Sequence, residues 1–162
     1  MREILFLAHR VPWPPDRGDT IRSFHILKKL QTMAPVHVGA FADDARDMEC
    51  AEAERAGLAS LHVELRDKPS WFSGVEAMAS GKPVSLTAFG SKAMQDWVDE
   101  RLSSGAISHI FVFSGQMAQY VPVGFDGRFV MDFVDVDSAK FESYAQEGNA
   151  LMRWVYAREA KK

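Results

Sequence analysis

Along this chain, short apolar runs alternate with longer stretches whose apolar residues recur every three or four positions. Glu3-Ile4-Leu5-Phe6-Leu7-Ala8 is nearly all apolar, as are Val36-His37-Val38-Gly39-Ala40-Phe41 and His109-Ile110-Phe111-Val112-Phe113. Runs of this length and kind fit strands buried on both faces. Leu61-His62-Val63-Glu64-Leu65 and Arg128-Phe129-Val130-Met131-Asp132-Phe133 complete a predicted set of five strands. Between them lie predicted helices. The first is capped by Asp19 or Thr20 and carries Ile21, Phe24, Leu27 and Leu30 on its apolar face. The second runs from Asp43 or Asp44 to about Ala56 and closes at Gly57. A shorter one is expected within 71–78. Another starts at Ser91, buries Met94, Trp97, Val98 and Leu102, and ends at Gly105. Residues 83–90 are expected to be extended or loop, Gln116 to Tyr120 to make a helical turn, and a long helix to run from about Ser138 to the end. Strands alternating with helices predict an α/β fold: a Rossmann-like, doubly wound parallel sheet in one domain spanning 1–162.

Composition narrows the function classes. The chain has 162 residues, 47% hydrophobic and 25% charged, as expected of a globular domain with a real core. A formal net charge of -3 argues against a general nucleic-acid binder. A single cysteine, Cys50, excludes a disulfide framework and fits a reducing compartment. No secretory leader is visible at the start, and no run reaches the roughly 20 apolar residues of a membrane span. The expected location is the cytoplasm. Residues 156–162 read as mid-helix with no stop signal, which predicts a longer parent chain.

Four groups can carry chemistry. The loop His9-Arg10-Val11-Pro12-Trp13-Pro14-Pro15-Asp16-Arg17-Gly18-Asp19 is stiffened by prolines and opens onto a helix N-terminus. With Arg17, Arg22 and the permissive Gly18, it reads either as an anion or acceptor site or as a rigid connection with solvated arginines. Ser114 and Gln116 bring hydrogen-bonding groups to the end of the fourth strand, either as a ligand-contacting turn or as a plain link; this is no G-x-S-x-G elbow. In Asp132-Phe133-Val134-Asp135-Val136-Asp137-Ser138-Ala139-Lys140, an extended backbone would put Asp135 and Asp137 on one side and Asp132 on the other. That pair could accept a proton or hold hydroxyls, but it is too poor in oxygen ligands for a metal site by itself. The bland alternative is that Asp137 or Ser138 caps a helix while Asp132 is buried in a hydrogen bond. Of the histidines, only His9, at the end of the first strand, is a candidate ligand contact. No pair has metal-ligand spacing, no metal or cofactor is expected, and the missing G-x-G-x-x-G argues against a dinucleotide.

The segments Phe6 to Asp19 and Asp132 to Lys140, with Tyr144-Ala145 and the tail Trp154-Val155-Tyr156-Ala157-Arg158-Glu159, resemble bacterial GT-B glycosyltransferases of the GT4 type. The closer likeness is to sugar transferases found with exosortase-linked exopolysaccharide clusters. The resemblance implies the acceptor-side, N-terminal half of a two-domain retaining enzyme. It would transfer sugar from a nucleotide-diphosphate donor to a saccharide or lipid-linked acceptor, without a metal. Its own C-terminal domain would bind the donor, and the whole enzyme would associate peripherally with the inner face of the membrane. Gly18 then lies near the donor diphosphate, with Arg17 and Arg22 stabilising the leaving charge. His9, Ser114, Gln116, Asp135 and Asp137 face the acceptor, with Asp135 holding or deprotonating its hydroxyl. Relatives place a histidine after the fourth strand, where this chain has Ser114-Gly115-Gln116. The competing expectation is a non-catalytic flavodoxin-like or receiver-like module. His9-Arg10 after the first strand, where a receiver needs an acidic pair, already argues against a receiver.

Overall fold

The structure, a computed structural model, describes residues 2–66 and 89–134. Within them, β1 (Glu3–Ala8) leads through the proline loop to α1 (Gly18–Gln31), then β2 (Val36–Ala42), α2 (Ala45–Glu54) and a 3-10 turn (Arg55–Gly57). β3 (Ser60–Leu65), α3 (Lys92–Ser103), β4 (Ile107–Phe113), a second 3-10 turn (Gly115–Tyr120) and β5 (Arg128–Asp132) follow. The five strands form one parallel sheet in the order β3-β2-β1-β4-β5. The helices predicted within 71–78 and from Ser138 lie outside the described residues, as does most of 83–90.

The apolar runs behave as continuous burial requires. Every residue of β2 is buried, and so are Ile4 to Ala8 of β1. Alternate side chains feed two cores, one on each face of the sheet. Ile4, Phe6, Ala8, Val36, Val38 and Ala40 meet Leu27 of α1 and Ala51 of α2 on one face. Leu5, Leu7, Phe41, Ile110 and Val112 meet Met94 and Val98 of α3 on the other. The sheet is therefore doubly wound, as expected. α3 sits close because Gly39 has no side chain: a Cβ there would stand 2.9 Å from both Leu7 Cδ2 and Trp97 Cζ3.

Local signals decide the ends. Asp44 caps α2 by accepting from the Asp47 amide, and Ser91 caps α3 by accepting from the Met94 amide. Gly105, at φ +70, takes the left-handed position just past α3. The start of α1 differs from expectation. Arg17, not Asp19 or Thr20, is the cap residue; Thr20 closes the first turn by accepting from the Arg17 amide and donating to its carbonyl. The buried stripe also differs: Thr20, Ser23 and Leu27 are buried, Phe24 and Leu30 partly buried, and Ile21 is 42% exposed. The Ser23 hydroxyl tolerates burial because it donates to the Thr20 carbonyl.

Candidate ligand site at the reversal of strand order

Strand order reverses between β1 and β4, since β1 leads on to β2 on one side while β4 and β5 lie on the other. Beyond the carboxyl ends of such a pair the chain diverges and leaves a crevice, the usual ligand position in open α/β sheets. His9 follows β1 and Ser114 follows β4, so both stand at this point. The His9 ring stacks on Phe113 with centroids 6.0 Å apart and meets the edge of Phe89 at the same distance.

The first part of the proline loop is pinned, while Pro15 to Gly18 are exposed. Val11, Pro12 and Trp13 are buried, and the Val11 amide donates to the Phe41 carbonyl. Its far end brings the start of α1 back to β1: His9 Nε2 stands 3.4 Å from Asp19 Oδ2, and Arg10 Nη1 donates to the same oxygen at 2.9 Å. Nothing lies within 4 Å of where a Cβ would stand on Gly18, and its φ is not left-handed. Neither crowding nor backbone geometry within the chain demands glycine there.

The arginines have acidic neighbours. Asp43, just past β2, gathers Arg10 (Nε, 2.8 Å), Arg17 (3.3 Å) and Arg66 (3.4 Å). The Arg10 Nε and Arg66 approaches are ion pairs by distance without hydrogen-bond alignment, whereas Arg17 donates. Arg22 pairs with Asp132 at 2.8 Å. The two arginines expected to receive an anion are thus 51% and 56% exposed but already partnered, so a ligand must share or displace a carboxylate. Asp132 is half-buried and hydrogen-bonded, close to the bland alternative: its Oδ1 accepts from the Val134 amide.

These contacts set the protonation states. Burial and the nearby Arg10 charge lower the His9 pKa against the pull of Asp19, so the imidazole is neutral at pH 7. Burial raises Asp19, but the hydrogen bond and charge of Arg10, with the Thr20 amide, outweigh it and hold the carboxyl below its usual range. Across the rim, burial and the Glu64 charge push Tyr120 up to about 12, against the Ser91 amide that donates to it.

Backbone strain gathers at the same rim. Ser114 sits at φ 84, ψ 133, and Val134 at φ 63, each unusual for a residue with a side chain and costing of order 1–3 kcal/mol. Ser114 is held by donating its amide to the Asp132 carbonyl, while its hydroxyl donates to Gln116 Oε1. Asp135 and Asp137 lie outside the described residues.

No family model, curated protein or solved structure matches this chain. Of the expected residues, His9 and Ser114 stand at the ends of the neighbouring strands β1 and β4, Gln116 accepts from Ser114, Arg17 lies on the β2 side at Asp43, and Arg22 lies toward β5. Sequence reasoning missed Asp19 and Asp43 as the partners that fix Arg10 and Arg17. Their signal was positional: each acid directly follows a strand or loop that ends on this rim. Among the described residues, no group of three or more His, Cys, Asp or Glu could hold a metal ion, and no helix is long and apolar enough to cross a membrane. A cavity of about 600 Å³ bordered by Gln31, Pro35, Gly57 and Ala59 opens at the opposite end of the sheet, where the strands begin. It holds none of these groups.

Proposed function

We propose that this chain is the acceptor-side half of a retaining glycosyltransferase, working with a nucleotide-diphosphate sugar and a saccharide or lipid-linked acceptor in exopolysaccharide synthesis. The observation that carries the reading is His9: an uncharged imidazole, stacked at the reversal of strand order, with the start of α1 tied to it through Asp19. Sugar transfer needs an acceptor hydroxyl held in line beside a departing diphosphate. A neutral imidazole can accept a hydrogen bond from that hydroxyl. The open Gly18, the first turn of α1, Arg17 and Arg22 offer the leaving charge somewhere to go. Asp135 and Asp137 keep the acceptor-side roles that the resemblance implies, and a donor-binding C-terminal domain and work at the inner membrane face belong to the same proposal.

Topology weighs against the competing reading. Flavodoxin-like and receiver domains order their strands 2-1-3-4-5, whereas this sheet runs β3-β2-β1-β4-β5. The deciding experiment incubates the full-length protein with a panel of UDP-, GDP- and dTDP-sugars and membrane extract containing lipid-linked saccharides. Release of nucleoside diphosphate that depends on the extract is expected. If none is released and no nucleotide sugar raises the melting temperature, the reading is wrong.

A further inference from the structure

Three neighbouring strands end in charged residues. Arg10 lies two residues past β1, Asp43 directly past β2 and Arg66 directly past β3. The Arg66 amide donates to the Ala42 carbonyl at 2.9 Å, which fixes its backbone against the end of β2. Its guanidinium lies over the Phe89 ring, 5.1 Å from the centroid. Phe89 is itself held, buried and in edge contact with Phe41 and His9. Stacking employs the flat face of a guanidinium and leaves its N–H edge available. Arg66 stands 3.4 Å from Asp43 Oδ1 without hydrogen-bond alignment, so that pairing leaves its N–H groups uncommitted. Arg17 donates to the other oxygen of the same carboxylate at 3.3 Å. Arg10 holds Asp43 from within, with Nε 2.8 Å from Oδ2 and Nη1 given to Asp19. Asp44 and Asp47, next along the chain, are spent on backbone amides at the start of α2.

We propose that Arg66 and Arg17 form a fork that binds a diphosphate, with Arg66 as its fixed arm and Asp43 as the post that spaces the two. The arms stand on different oxygens of one carboxylate, so two cations that would repel each other are kept side by side. A diphosphate carries two neighbouring sets of anionic oxygens, and each suits the planar donor edge of one guanidinium. A lone carboxylate would need only one arm. The Asp43 side chain is 19% exposed against 51% for Arg17 and 34% for Arg66, so a ligand meets donors before it meets the acid. The inference rests on the glycosyltransferase reading, in which both a nucleotide sugar and a lipid-linked acceptor can carry that group. It adds Arg66, and with it the end of β3, to the residues of the site.

The test is calorimetric titration of the full-length protein at low salt with inorganic pyrophosphate, UDP and geranyl diphosphate. Wild type should bind pyrophosphate. Arg66→Gln should weaken that binding about tenfold. Arg66→Lys, which keeps the charge but not the planar edge, should restore it only in part. Arg46→Gln removes a cation that pairs with Asp16 and should leave binding unchanged. The melting temperature of each variant reports folding. Loss of UDP affinity in Arg66→Gln assigns the fork to the donor's diphosphate, and loss of geranyl diphosphate affinity assigns it to the acceptor's; either upholds it. Equal pyrophosphate binding by wild type and Arg66→Gln, or an equal loss in Arg46→Gln, overturns the fork and leaves the proposed function standing. No pyrophosphate binding, with diphosphate release still observed, rejects the fork only; no binding and no release reject both.

Discussion

His9 and His37 mark the two rims of the sheet, and they are built differently. His37 is 8% exposed and fully employed: Nε2 donates to Glu3 at 2.8 Å and Nδ1 shares a 2.7 Å hydrogen bond with Ser60 Oγ. Those partners lie at the first residues of β1 and β3, so the histidine ties three neighbouring strands at the end where they begin. His9 instead has a carboxylate at 3.4 Å that Arg10 holds more closely, two aromatic neighbours, and strained backbone at Ser114. One residue type serves as a strap where its hydrogen bonds are complete, and at the other rim it is left with a more distant carboxylate. Partner geometry, not burial alone, separates the two.

The largest test of this contrast is His9→Phe, which keeps the stacking on Phe113 and removes the ring nitrogens. Sugar transfer, measured as diphosphate release, should fall about a hundredfold through lost positioning, with the melting temperature within a few degrees of wild type. His37→Ala should do the reverse. Stranding Glu3 and Ser60 costs about 2 kcal/mol, a fall of roughly 4–8 °C in thermal denaturation, while transfer at 25 °C holds. Acid titration of stability gives a third contrast. His9 has a folded pKa below the usual 6.5, so between the two values the unfolded chain binds more protons. Its contribution is complete above about 6.5 and declines as pH falls from there toward the folded value. Asp19, held below 3.8, keeps its contribution until pH falls through that range toward its own folded value. Melting curves from pH 8 to 3 should show both phases in wild type and only the lower one in His9→Phe. The smallest effect is expected of Ser114→Gly: relief of the positive φ should stabilise by about 1 kcal/mol net of added chain entropy. Ligand binding should weaken a few-fold through loss of the hydroxyl.

Much of the architecture was legible because burial leaves a simple trace. β1, β2 and β4 are apolar runs since both faces are covered, and Asp44, Ser91 and Gly105 announce helix ends by their own hydrogen bonds and φ. The start of α1 was misread because Asp19, a good capping residue, is spent on Arg10 and His9 while Arg17 takes the cap. β5 shows the opposite weakness. It reads as apolar, yet Phe129 and Val130 are each 43% exposed at the edge of the described sheet, since periodicity carries no information about what lies beside a strand. The positions of His9, Gly18 and Ser114 could be read because chain order alone puts them at strand ends and a helix start. That Arg17 and Arg22 are already paired could not be found, because Asp43 and Asp132 reach them only through the sheet's strand order.

Asp43 has a consequence for how a charged guest would arrive. Three guanidinium groups crowd one carboxylate, and Asp19 balances only one of them, so Arg10, Arg17, Arg66 and the two acids together fall one negative charge short of electroneutrality. An incoming anion need not pull apart a matched couple; it supplies the missing counter-charge, and Arg17, the most exposed of the three, can swing to meet it. Anion binding at this rim, which belongs to the proposed function, should fade as added salt supplies the same counter-charge.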